Sequence, residues 1–142
     1  MRKILGHTPP AWVPDGALFF ITICTRPRGL NQLAHPQTAA AVLEAVEFRR
    51  ARGDWFVPLV LLMPDHVHGL FAFAREAAMR KTVANFKEAT AKRVGIRWQR
   101  DFFDHRLRGD EGFEEKAEYI RMNPVRAGLV ATATDWVFRS EG

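Results

Sequence analysis

Between Asp54 and Ala74, two apolar runs are separated by a single proline–aspartate pair. The first, Asp54–Met63 (Asp-Trp-Phe-Val-Pro-Leu-Val-Leu-Leu-Met), reads as a strand because aromatic and branched aliphatic residues dominate it. Pro58 inside it predicts a sheet edge or a bulge, since proline has no N–H for a ladder hydrogen bond. Pro64-Asp65 makes a tight turn, and His66–Ala74 runs back as the next strand. Side chains alternate along a strand, so His66 and His68 share one face while Val67 takes the other. Two imidazoles placed in this way can serve one divalent metal. The same short pattern also occurs in ordinary strands, and spacing alone leaves both readings open.

The flanking segments supply a domain around this hairpin. Residues 1–16 contain Pro9, Pro10, Pro14 and Gly16 and read as an irregular lead-in. Ala17–Thr25 is rich in β-branched and aromatic residues and predicts the opening strand. From Pro36 to about Arg50 the spacing is helical: Ala39, Val42, Leu43 and Val46 share a face, and Gly53 stops the segment. Met79–Val94 is a second helix, with Val83, Phe86 and Thr90 inward and Gly95 at its end. Trp98–Arg108 predicts a fourth strand, the run Gly109-Asp110-Glu111-Gly112 a break, and Phe113–Met122 a last helix with Glu114 and Glu115 at its positive end. Asn123-Pro124 should end that helix, because a residue before proline avoids helical geometry. The order β-α-β-β-α-β predicts an α+β fold: a ferredoxin-like, four-stranded antiparallel sheet with two helices on one face, plus a C-terminal helix. Residues 1–142 are expected to form one domain, with the segment after Leu129 packed back over it.

Charge is unevenly spread along the chain. Residues 75–109 hold ten basic and four acidic side chains, a local excess of +6 that exceeds the net +5 of the whole protein. A concentrated basic segment suits a polyanion, nucleic acid being the commonest, although a solvated helix face has the same composition. Hydrophobic content of 47% and charged content of 26% are those of an ordinary soluble protein. Cys24 is the single cysteine, so an internal disulfide is excluded and a reducing compartment fits. No apolar run is long enough for a bilayer and no signal peptide is evident, so a cytoplasmic location without membrane contact is expected.

Tyr119 is the only tyrosine, and Asn123 follows it at i+4, on nearly the same helix face. A tyrosine hydroxyl can attack a phosphodiester and hold the strand covalently. Its ordinary pKa near 10 means that a metal or cation must polarise the phosphate. The Asn123 amide oxygen offers a neutral ligand beside the two imidazoles. A half-buried helix tyrosine followed by a capping asparagine would look the same in sequence.

Three separated segments together are far more specific. Leu61-Leu62-Met63-Pro64-Asp65-His66-Val67-His68-Gly69-Leu70 resembles the His-hydrophobic-His (HUH) motif of single-tyrosine transposases. The runs Trp98–Arg108 and Glu118–Val130 (Glu-Tyr-Ile-Arg-Met-Asn-Pro-Val-Arg-Ala-Gly-Leu-Val) resemble one branch, the REP-associated tyrosine transposases, and Phe19–Thr25 fits as well. The resemblance spans roughly residues 17–130 in matching order; it departs at Asp65, where the family often has asparagine. It implies a nuclease acting on single-stranded DNA, often near small hairpins. His66, His68 and Asn123 would bind Mg2+ or Mn2+, and Tyr119 would be the nucleophile, forming a 5′-phosphotyrosine and freeing a 3′-hydroxyl. Lys81, Lys87, Lys92, Arg93, Arg100, Arg106 and Arg108 are candidates for backbone contacts, His105 for a structural or DNA contact, and Trp98, Phe102 and Phe103 for stacking on unpaired bases. A homodimer is left open, with the tyrosine serving either its own histidines or a partner's. Two rival readings are a hairpin DNA- or RNA-binding module without cleavage and a metal phosphoesterase using water.

Overall fold

The computed structural model describes residues 18–108 and 112–141; the expected lead-in and most of the break at 109–112 lie outside these. The strands are β1 (Phe19–Cys24), β2 (Trp55–Met63), β3 (His66–Phe73), β4 (Phe103–Arg106) and β5 (Arg139–Ser140). The α-helices are α1 (Pro36–Ala51), α2 (Met79–Val94), α3 (Phe113–Arg121) and the short α4 (Asn123–Arg126). The strands form one sheet in the order β4-β1-β3-β2-β5, with each neighbouring pair antiparallel. The first four positions follow the expected split β-α-β order, but the sheet has five strands rather than four. The added β5 pairs Val60 with Ser140 and Leu61 with Arg139 on the outer side of β2.

The sheet is covered on both faces. Val42 and Val46 from α1 and Val83 and Phe86 from α2 pack on Phe19, Ile21, Ile23, Trp55, Val67 and Phe71. Ala117 and Ile120 from α3, with Trp136, pack on Leu59, Leu61, Met63 and Leu70. This second layer explains why all of β2 is buried instead of alternating.

Pro58 lies within a bulge: the β2–β3 register shifts between Phe56 and Leu59. One extra residue reverses the strand's parity. Trp55 and Val57 face α1 and α2 before it, and Val60 and Leu62 do so after it. Across from this segment, a Cβ on Gly69 would lie 2.6 Å from the Leu59 carbonyl oxygen and 2.9 Å from the Phe71 ring. Glycine therefore allows the two backbones to approach beside His68.

Two further expectations need correction. Only Phe103–Arg106 of the run 98–108 forms a strand; Trp98 makes an isolated bridge to Thr25. The Trp98 indole is buried against Phe86 and donates from Nε1 to Thr90 Oγ1 at 3.0 Å, which holds this stretch to the core instead of the sheet edge. α3 ends at Arg121, just before Asn123-Pro124, but Asn123 takes up helical geometry instead of avoiding it. The missing proline N–H interrupts the ladder at Met122, and a new turn begins at Asn123, closed by the Ala127 N–H donating to the Asn123 carbonyl at 2.9 Å. The segment after Leu129 does return over the domain: Trp136 Nε1 donates to the Leu62 carbonyl at 3.0 Å. No helix of the described residues is long and apolar enough to cross a membrane.

Candidate active site

β3 enters from the Pro64-Asp65 turn, and its even-numbered side chains face the α3 layer. His66 pairs in register with Cys24 and Met63, and His68 with Thr22 and Leu61. The two imidazoles lie 5.4 Å apart between centroids and nearly perpendicular.

Each ring is held through Nδ1. Asp65 Oδ1 accepts from His66 Nδ1 at 3.0 Å. The other Asp65 oxygen accepts from Arg28 Nε at 3.0 Å and from the Gly29 N–H at 2.9 Å. Burial pushes the Asp65 carboxyl up, but these donors outweigh it and hold it well below the usual carboxylate range. A carboxylate here keeps the proton on His66 Nδ1 and leaves a lone pair on Nε2, which lies 3.4 Å from the Asn123 side-chain nitrogen. Oxygen and nitrogen of such an amide are assigned from their surroundings, so either can face the histidine.

His68 is only 6% exposed. Its Nδ1 lies 2.9 Å from Thr22 Oγ1, while Nε2 is buried with no hydrogen-bonding partner. A proton on that nitrogen would be buried without an acceptor, so the favourable tautomer donates Nδ1–H to Thr22 and leaves an unshared pair on Nε2. Burial, followed by the nearby His66 and Arg126 charges, pushes the His68 pKa down to about 4, and burial lowers that of His66 as well. Both rings are therefore neutral near pH 7, the form that ligates metals. An orphaned Nε2, a second lone pair on the same face and an adjacent amide fit a divalent cation. Among the described residues no group of three or more His, Cys, Asp or Glu side chains is placed to hold a metal, so a third protein ligand would have to be of another type, such as the Asn123 amide beside His66.

Tyr119 projects from α3 over the same face and is 52% exposed. Its ring centroid lies 6.4 Å from that of His68 and 6.0 Å from that of Phe20. Arg126 spans the join between α3 and α4: its guanidinium carbon sits 3.9 Å from the Tyr119 centroid, and Nη2 donates to the Tyr119 carbonyl at 2.9 Å. The tyrosine, both histidines and Asn123 thus meet within one chain. Phe20, Phe103, His105, Lys116 and Tyr119 line an open cleft beside them.

The remaining sequence candidates are dispersed. Lys81, Lys87, Lys92 and Arg93 belong to α2, on the opposite face of the sheet. Lys87 donates to the Arg100 carbonyl at 2.8 Å, Lys92 pairs with Glu88 at 3.6 Å and Arg93 with Glu44 at 2.7 Å. Arg106 stacks on Phe19 at 5.6 Å, and Arg100 and Arg108 are exposed on either side of β4. Trp98, expected to stack on a base, is 8% exposed and part of the core. His105 and Phe103 stand on the tyrosine side of β4, opposite Phe20 and Thr22. Sequence reasoning missed Thr22, Lys116 and Arg126. The alternation of β1 could have found Thr22, because it shares a face with Phe20.

No protein-family model matches the chain. A Haemophilus influenzae protein provisionally named a REP-associated tyrosine transposase is 27% identical, over 57% of this chain and 56% of its own. The match therefore spans little more than half of that relative. The REP-associated tyrosine transposase of Escherichia coli is 24% identical over 87% of this chain and 75% of its own. In fold, the chain is similar to a REP-associated tyrosine transposase solved bound to a REP hairpin (TM-score 0.66, 22% identity, 93% of this chain and 81% of that one). It is also similar to a Deinococcus radiodurans protein provisionally named a transposase (TM-score 0.55, 14% identity, 91% and 98%).

Proposed function

We propose that the chain is a REP-associated tyrosine transposase, as its likeness to proteins of that name supports, and that it nicks and rejoins single-stranded DNA beside a hairpin. Tyr119 is the nucleophile in this reading. Its hydroxyl oxygen gives up its proton and bonds to phosphorus, the bond from phosphorus to the 3′ oxygen breaks, and that oxygen takes up a proton, leaving the departing strand with a 3′-hydroxyl. The other strand remains on the enzyme as a 5′-phosphotyrosine. In the reverse step a 3′-hydroxyl attacks the same phosphorus, and the tyrosine oxygen leaves and regains a proton. Repeated on two ends, the pair of steps moves or joins a DNA segment.

His66, His68 and Asn123 would hold Mg2+ or Mn2+, which when bound supplies polarisation of the phosphate oxygens. Asp65 and Thr22 keep both imidazole lone pairs directed away from the strand backbone. Arg126 fixes the tyrosine ring and brings a positive charge over its face.

The observation that carries this reading is the orphaned Nε2 of buried His68, on the same face as His66, Asn123 and the only tyrosine. A water-using phosphoesterase has no need of an exposed tyrosine over the histidines. A binding module has no need of two neutral imidazoles on one face, one of them with its buried Nε2 left without a partner. The test incubates labelled hairpin oligonucleotides, including a REP hairpin, with wild type or Tyr119→Phe in Mn2+ or EDTA. A labelled protein band on a denaturing gel, dependent on Mn2+ and absent from the variant, is expected. Cleavage by the variant without an adduct would refute the proposal.

A further inference from the structure

The cleft beside Tyr119 encloses about 240 Å³ and extends beyond the hydroxyl's own surroundings. Phe20 of β1 and Phe103 and His105 of β4 line its sheet side, and Lys116 and Tyr119 line its α3 side. Phe103 is 59% exposed, and neither core cluster includes it. The register sets it opposite Thr22, the partner of His68, so it stands on the same face of the sheet as the histidine pair, two strands away. Lys116 and Tyr119 are three residues apart on α3 and therefore neighbours on its surface. An open aromatic face, a cation and the proposed nucleophile share one wall-to-wall space.

We propose that this cleft receives an unpaired nucleobase of the strand whose backbone meets Tyr119, stacked on Phe103, with Lys116 facing the adjoining phosphate. The inference rests on the reading of Tyr119 as nucleophile. A phosphodiester presented to the Tyr119 hydroxyl carries a nucleotide on either side. The cleft shares Tyr119 itself, so one of these flanking bases is the nearest group that can enter. Stacking suits a site that must accept the strand without reading every base edge, because each base has a π-face. The lysine supplies the charge complement to the backbone. Holding the flanking base also fixes the phosphate in line with the attacking oxygen.

The test uses a DNA hairpin with single-stranded flanks in which 2-aminopurine is moved one position at a time. Fluorescence reports stacking, anisotropy reports binding and a denaturing gel reports the adduct. Wild type is expected to quench 2-aminopurine at one flanking position. Phe103→Ala should lose that quench and bind roughly 5- to 150-fold more weakly, the range of one lost base stack. Phe103→Trp should restore both. An abasic site at that position should weaken wild type by a similar factor and leave Phe103→Ala unchanged. Equal quenching in wild type and Phe103→Ala, or an abasic loss that multiplies with the substitution, overturns the inference. Phe103-dependent quenching without any Tyr119 adduct would retain the base site and refute strand transfer. Failure of wild type to bind any hairpin would overturn both.

Discussion

Replacing Thr22 with valine removes one oxygen while keeping the shape of the side chain, and the consequence falls on His68. The 2.9 Å contact between Thr22 Oγ1 and His68 Nδ1 disappears, and Nδ1 joins Nε2 as a buried nitrogen without a partner. Two effects follow. Leaving a buried polar group unsatisfied costs about 1–3 kcal/mol of stability. The imidazole also loses its reason to keep the proton on Nδ1, and in the other tautomer Nε2 has no lone pair to give. Loss of a group that orients a metal-ligating histidine typically weakens binding or activity by about 10- to 100-fold. The expected result for Thr22→Val is therefore a lower urea midpoint and a Mn2+ dissociation constant raised about 10- to 100-fold by calorimetry. The adduct yield should fall at limiting Mn2+ and recover at saturation, and Thr22→Ser should restore all three. If Thr22→Val binds Mn2+ as wild type does, the tautomer argument is wrong. If Thr22→Ser behaves like valine, the hydroxyl is not the relevant group.

Three other outcomes follow from the same structure. Gly69→Ala drives a methyl into the Leu59 carbonyl and the Phe71 ring, and should destabilise by about 1–3 kcal/mol in urea unfolding, with Mn2+ affinity reduced because His68 is the preceding residue. In the metal-free protein, kept in EDTA, stability should fall as pH drops from 6.5 towards 4. The unfolded chain takes up a proton at His68 in that window while the folded chain does not, for a loss of about 3 kcal/mol, and stability should be flat in this respect above pH 7; a flat urea midpoint from pH 7 to 4.5 would contradict the burial of His68. Trp136→Ala removes a buried indole and its hydrogen bond to Leu62, and should cost about 3–5 kcal/mol, with faster amide exchange at Leu62 and along β5.

Those elements whose pattern is local could be read from the sequence. α2 occupies Met79–Val94 as the apolar spacing predicts, and Gly95 ends it in the left-handed conformation, with its N–H donating to Ala91. The hairpin of β2 and β3 is equally local, and Pro58 announces its bulge. What escaped depends on distant partners. β5 is two residues long and carries no pattern of its own; it exists because the outer edge of β2 needed hydrogen bonds and Trp136 anchors the returning chain. The aromatic run before β4 reads as strand, but the core claims Trp98 through Phe86 and Thr90. At the site, the pairing of His66 with His68 and of Tyr119 with Asn123 follows from strand and helix periods. The alternation of β1 places Thr22 on a face but not against His68, and Lys116 and Arg126 could not be ranked, because their roles arise only where α3 and α4 converge on the sheet. The basic excess of residues 75–109 is divided by the fold: α2 carries its part to the face opposite the histidines.

The identity of the nucleophile is open to direct chemical observation. Wild-type protein is incubated with a hairpin oligonucleotide and Mn2+, digested with trypsin and examined by mass spectrometry, while the released strand is offered to a DNA polymerase. The account predicts a nucleotide attached through its 5′ phosphate to Tyr119 in the peptide Ala117–Arg121, and a released strand that the polymerase extends from its 3′-hydroxyl. Attachment at any other residue would contradict it. So would cleavage that leaves a free 5′-phosphate and unmodified Tyr119.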